Sequence, residues 1–399
     1  MERGSKKLKH EIVTAVEEEQ RGISKLPQYI KELVFTNLSF DSICRSRIVC
    51  KEWNSILSSE SFLFSLPTQN PWLLICGKKK NGNWYCMAYC FSAQKWMTLP
   101  LSFLPKQKRG QFRYLLNAGK GLLLFREIPT AFSNPLKRFC NPFMRSYAEV
   151  EIDLTNKYIG IVEGENKEPY LVVWSDYKRF SFQIYHYFQD SWRIKYQFAG
   201  ETESHIILDE MVECNGILFW RVVWRESLSS SVIGYKIQDE GFISPITVAP
   251  LPPEMFETFS VRVAFMLQPL HFLSMISYGS SVLVVGIFKE SPARIVIWEL
   301  FQDEENELVW KWKEFARIPP QSLPQSLDEQ LEHMECVGVG DYLCFSNRLG
   351  EDESGKVFAY NLRQRFWQCL EYDKWMMMKR IVSFEPKLSH YQFLGKSRE

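Results

Sequence analysis

Two periods divide the chain. Between residues 27 and 57 apolar positions recur at helical spacing, and from about residue 70 they recur in short strand-like runs. Pro27 suits a first helical turn, where its missing N–H costs nothing. After it, Tyr29, Ile30, Leu33, Val34, Phe35 and Leu38 cover about 240° of a helical wheel, against roughly 100° for an ordinary surface helix. Asp41 stands where it would cap a second helix. In that helix Ile43, Val49, Cys50, Trp53, Ile56 and Leu57 form one broad stripe, with Ile48 off it. A unit of about 40 residues cannot hide so much apolar surface by itself. Either it packs on the domain that follows, or one face meets a separate protein. The connector SSESFLFSLPTQNP is apolar and poor in glycine, which predicts a packed junction in place of a flexible tether.

From residue 70 an apolar strand pattern repeats: WLLICG at 72–77, GLLLF at 121–125, YLVVW at 170–174, GILFW at 216–220, SVLVVG at 281–286 and DYLCF at 341–345. The starts are spaced by roughly 46 to 65 residues, the period of four-stranded propeller blades. Several runs are followed by a second strand, a turn and an aromatic strand, which places Trp96, Trp192, Trp312 and Trp367 in equivalent positions. In the second and fourth repeats NPFMRSYAEV and IGYKIQDEGFISPITVAPL take the place of the tryptophan strand. A blade cannot bury both sheet faces alone, so stacking in a ring is required. Six matches predict six blades. Residues 380–386, RIVSFEP, are expected to return to the first blade and close the ring.

Composition narrows the function. A net charge of +1 argues against nucleic acid or a membrane surface as the main partner. Arg45, Arg47 and Lys51 are too sparse a basic set for a DNA-reading helix pair, with Asp41 and Glu52 beside them. No apolar run reaches membrane-spanning length, and the charged N-terminal stretch does not read as a secretory leader. The ten cysteines are therefore expected to be reduced and mostly buried. Cys86 and Cys90 have a loose metal-like spacing without a second ligand pair. The six histidines are scattered, and His186, between Tyr185 and Tyr187, reads as a strand histidine. No metal, cofactor or catalytic residue is expected.

Residues 26–57, LPQYIKELVFTNLSFDSICRSRIVCKEWNSIL, resemble an F-box. Leu26, Pro27, Ile30, Val34, Phe35, Leu38, Ile43, Val49, Cys50, Lys51, Trp53 and Ile56 fall on its pattern. Ser39 stands where many members have Pro, and Phe35 where a smaller aliphatic is usual. The remainder resembles the kelch-type propeller of plant F-box/kelch-repeat proteins, although the kelch glycine doublet is missing from most repeats. The resulting expectation is a mainly β chain: a mobile arm at 1–22, a small all-α F-box unit at 23–66, a six-bladed kelch-type propeller at 67–390 and a tail at 391–399.

That resemblance implies a non-catalytic substrate receptor of an SCF-type ubiquitin ligase, nuclear or cytoplasmic. The F-box would bind a Skp-type adaptor and through it a cullin scaffold, while the propeller would hold the protein to be ubiquitylated. Leu26, Pro27, Ile30, Val34, Leu38, Ile43, Val49 and Trp53 would form the adaptor face. Arg126, Tyr177, Arg221, Arg225, Lys289 and Arg348 follow or end the recurrent runs. Their basic bias suits an acidic or phosphorylated partner. The competing readings are an enzyme on a propeller scaffold and an F-box scaffold that recruits no ligase.

Overall fold

The computed structural model describes residues 26–79, 84–105, 112–128, 136–150, 159–163, 169–175, 181–186, 191–197, 205–207, 211–224, 230–238, 241–242, 247–250, 273–288, 294–302, 310–328, 334–347, 355–372 and 376–388. The chain divides into a helical unit that runs to Gln69 and a β unit from Asn70 to Lys387.

The helical unit is built from α1 (Gln28–Thr36), α2 (Phe40–Ser46), α3 (Lys51–Leu57) and α4 (Glu60–Ser65). The single helix expected after Asp41 is therefore two. The break falls at Arg47–Cys50, where the N–H groups of Ile48 and Val49 turn back to the carbonyls of Arg45 and Ser46. Asp41 is not a cap. Ser39 caps α2 by accepting from the Ser42 N–H at 3.3 Å, and Cys50 Sγ accepts from the Trp53 N–H to start α3. A serine in place of the usual proline thus satisfies an otherwise orphaned helix donor. Ser59 caps α4 in the same way, and Phe62 and Leu63 on that helix are buried.

In the β unit the first blade orders β26-β1-β2-β3, from β1 (Trp72–Lys79), β2 (Trp84–Cys90), β3 (Lys95–Thr98) and the C-terminal β26 (Met376–Phe384). The second holds β4 (Phe112–Gly119), β5 (Leu122–Ile128), β6 (Leu136–Asn141) and β7 (Ser146–Val150). The third holds β8 (Ile159–Glu163), β9 (Pro169–Ser175), β10 (Ser181–His186) and β11 (Ser191–Gln197). Two more follow later: β18 (Leu273–Tyr278), β19 (Ser281–Phe288), β20 (Arg294–Gln302) and β21 (Trp310–Ile318), then β22 (Met334–Val339), β23 (Tyr342–Asn347), β24 (Lys356–Asn361) and β25 (Phe366–Glu371). Every strand pair is antiparallel. Among the described residues these are five four-stranded blades, not the six that the repeats predict.

The run at 216–220 lies in the remaining sheet, which departs from the blade pattern. It has two long central strands, β14 (Ile217–Trp224) and β15 (Ser230–Gln238), flanked by four short ones: β12 (His205–Ile207), β13 (Val212–Cys214), β16 (Gly241–Phe242) and β17 (Thr247–Pro250). β12 and β13 share one edge of β14, and β16 and β17 share one edge of β15.

Each recurrent run forms the second strand of its sheet, and the aromatic positions are equivalent in register. Trp96 pairs with Tyr89, Trp192 with Tyr185, Trp312 with Leu300 and Trp367 with Tyr360. Tyr147 takes the place in the second blade, opposite Cys140. The first strands lie side by side: β26 against β4, β4 against β8, β13 against β18, β18 against β22 and β22 against β26. At two places glycine makes room for a neighbouring side chain. A Cβ at Gly160 of β8 would lie 1.4 Å from the Met211 methyl, and one at Gly338 of β22 would lie 2.9 Å from Ile276 of β18.

The face between the first and last blades is apolar. Leu73, Ile75, Met87 and Tyr89 of the first blade pack with Val339, Cys344, Val357, Ala359 and Leu370 of the last. Each such side chain contributes about 1.5–3 kcal/mol by leaving water. The expected closure is present: β26 pairs with β1 from Trp72↔Phe384 to Lys79↔Met376. The expectation that all cysteines are reduced is corrected in one place. Cys76 and Cys86 face each other across β1 and β2, with Cα atoms 4.3 Å apart, and form a disulfide.

Candidate functional site

The interior of the helical unit uses one flank of α1. Phe35, 3% exposed, meets the Trp53 ring edge-on at 5.0 Å and the Phe62 ring at 6.4 Å. Phe40, Ile43, Ile56, Leu57, Phe62 and Leu63 are also buried. Lys31, next to Phe35 on the wheel, is buried and makes an ion pair with Glu52 of α3. The large Phe at position 35 is thus the pin that joins α1, α3 and α4.

The rest of the 240° arc has no cover among the described residues of the unit. Leu26, Tyr29, Leu33, Val34 and Leu38 are exposed, Tyr29 to 69% and Leu33 to 60%, and Pro27 is exposed beside them. Ile30 is half-buried between them. Two more apolar side chains, Ile48 at 87% exposure and Val49 at 54%, stand on the bend between α2 and α3. That bend is held in shape. Arg47 donates from Nε to Asn54 Oδ1 at 3.3 Å and from Nη2 to Ser58 Oγ at 3.2 Å. Burial lowers the pKa of its guanidinium from the usual value. Seven exposed apolar side chains within 24 residues are more than the isolated ones that any surface tolerates.

The structure therefore sorts the expected adaptor residues. Leu26, Pro27, Val34, Leu38 and Val49 are exposed. Ile43 is 1% exposed and belongs to the interior of the helical unit, which corrects its placement on the face. Trp53 is half-buried, with its ring against Phe35. Sequence reasoning left Tyr29, Leu33 and Ile48 out of the face. The first two were legible as part of the arc, whereas Ile48 was hidden by the assumption of one continuous helix.

Of the expected substrate residues, Arg126 lies on β5, half-buried, with its Nε buried and without a hydrogen-bond partner among the described residues. Arg221 lies on β14 opposite Val232. Tyr177, Arg225, Lys289 and Arg348 lie outside the described residues. His186 sits on β10 between Tyr170 of β9 and Ser191 of β11. The loose metal spacing of Cys86 and Cys90 is not a ligand pair, because Cys86 is held by Cys76.

Residues 23–65 match the F-box domain family, so the helical unit is an F-box. Over 359 residues the chain is 23% identical to F-box only protein 6 of Arabidopsis thaliana, covering 86% of this chain and 68% of that one. The chain is thus homologous to an F-box protein beyond the F-box itself. Among solved structures, TolB from Acinetobacter baumannii is similar with a TM-score of 0.44 and 8% identity, over 78% of this chain and 66% of that one. Oligogalacturonate lyase from Vibrio parahaemolyticus is similar with a TM-score of 0.38 and 10% identity, over 76% and 86%. Both likenesses are too distant to bear on function.

Proposed function

We propose that this chain is the substrate-recognition subunit of an SCF-type ubiquitin ligase, resident in the nucleus or cytoplasm. Its F-box docks a Skp-type adaptor, which connects to a cullin scaffold, and its propeller holds the protein to be modified. One observation carries the reading: the arc of α1 from Tyr29 through Leu33 and Val34 to Leu38, with Ile48 and Val49 beside it, lies outside the interior of its own unit. The F-box match and the F-box homologue support the same reading.

The chemistry asked of such a chain is positional. A receptor raises the effective concentration of a substrate lysine near a charged carrier enzyme and supplies no nucleophile. It needs two binding faces on folded supports. Chain order groups the second face. Arg126 and Arg221 lie late in the second strands of their sheets, and Tyr177, Arg225, Lys289 and Arg348 come directly after such strands. Four of the six therefore follow a second strand in the chain, while Arg126 and Arg221 lie on such strands. Together they favour an acidic or phosphorylated segment as the held partner. The kelch-type resemblance goes with this reading, as a description of the blades.

The test is co-purification of the full chain with a Skp-type adaptor. Wild type is expected to retain the adaptor through washing, and the double variant Leu26→Asp, Pro27→Ala to lose it. Retention by the double variant, with adaptor bound as before, would count against this face.

A further inference from the structure

We propose that residues 385–387, which directly follow β26, form a strap that locks the ring-closing strand onto the second blade. Pairing of β26 with β1 joins residues about 300 positions apart, so its closure carries a loop-entropy cost, and the Cys76–Cys86 disulfide beside it ties β1 to β2 and not to β26. The chain could leave the β unit after Phe384. Instead it runs across the turns of the neighbouring blade. The Gly121 N–H donates to the Glu385 carbonyl at 2.8 Å, and the Asn141 side-chain amide donates to the Lys387 carbonyl at 3.1 Å. The Lys120 ammonium stands 3.2 Å from the Glu385 carboxylate and 3.2 Å from that of Glu213, next to β14. Burial opposes the charge of Lys120, but the two carboxylates outweigh it and hold its pKa above the usual value. Phe384 is fully buried and stacks on Phe143 in the turn after β6, and Phe143 also meets Trp72 at the start of β1.

Two comparisons within the molecule separate strap from turn. Gly121 and Gly216 both follow a positive-φ residue in a two-residue turn and themselves have φ of +80° and +71°. Among the described residues a Cβ at Gly216 would meet nothing within 4 Å, whereas one at Gly121 would lie 2.8 Å from both the Lys387 Cβ and its carbonyl oxygen. Glycine at 216 serves the turn alone, and glycine at 121 also makes room for the strap. Likewise Asn141 and Asn361 each accept from two N–H groups of the following turn, but the Asn141 amide in addition holds Lys387.

Native-state hydrogen exchange on the full chain, read on peptides covering 376–387, tests this. Gly121→Ala and Asn141→Ala are expected to speed exchange there at least tenfold. Gly216→Ala and Asn361→Ala, which strain or uncap equivalent turns, are expected to leave it within twofold of wild type. Should Gly121→Ala fail to fold, the asparagine pair gives the same comparison. The strap is refuted if exchange in 376–387 stays at the wild-type rate in the strap variants, or rises equally in the controls.

Discussion

A chain carrying Leu33→Asp will bind a Skp-type adaptor at least about 100-fold more weakly than wild type, a loss of roughly 2.7 kcal/mol. Leu33 lies on the uncovered arc of α1, between Tyr29 and Ile30 on the wheel. A carboxylate there would have to enter an apolar contact without a partner, which costs several kcal/mol. Central apolar positions of an interface are also where single changes weigh most. Folding should be almost untouched, because Leu33 is 60% exposed and contributes little to its own unit. Titration calorimetry reads the first effect, and thermal unfolding the second. Phe35→Ala reverses the pattern. It opens a cavity against Trp53 and Phe62 and unfolds the F-box, so loss of binding there would say nothing about contact.

The second large effect lies in the second blade. An ionic row crosses all four strands there, from Arg113 of β4 to Glu127 of β5, Arg138 of β6 and Glu149 of β7. Arg113 Nε donates to Glu127 Oε1 at 2.6 Å, Arg138 pairs with the other Glu127 oxygen, and Arg138 Nη2 donates to Glu149 at 2.8 Å. Arg113, Glu127 and Arg138 are all buried. Burial and then the nearby charge of Arg138 bring the Arg113 pKa down to about 10. Among the described residues Glu127 is the one carboxylate that pairs with both guanidinium groups. Replacing it with Gln leaves two buried cations facing a neutral amide and should cost about 3–5 kcal/mol, measured by urea unfolding. Replacing Arg113, Glu127 and Arg138 together with Met, Leu and Met should recover most of that loss, since the row's desolvation cost disappears with it.

Both of these features were unequally visible in the sequence. The arc on α1 was legible because helical periodicity is local: six apolar residues on one wheel need no knowledge of the rest of the fold. The same locality explains the repeating apolar second strands and the alignment of Trp96, Trp312 and Trp367, which the registers reproduce. What failed depended on contacts between distant residues. Ile43 reads as surface or interior equally well until α2 is separated from α3 at the Arg47 bend. Arg113, Glu127 and Arg138 read as solvent-facing strand positions, since a single strand does not reveal that its charges meet across the sheet. Cys76 and Cys86 become partners only when β1 and β2 are in register. A missing tryptophan strand did not mark the six-stranded sheet around β14 and β15, since the second blade lacks one too and is regular. A repeat count alone therefore overestimated the number of regular blades. The strap was invisible for a further reason: Gly121, Asn141 and Lys387 make it together, and none has a distinctive sequence context.

The most direct measurement is a titration of the purified full chain with a purified Skp-type adaptor, followed by hydrogen exchange of the complex. A saturable one-to-one complex is expected, with new protection confined to residues 26–38 and 47–53. An adaptor that does not bind, or that binds while leaving α1 as open to exchange as before, would contradict the docking role assigned to the uncovered face.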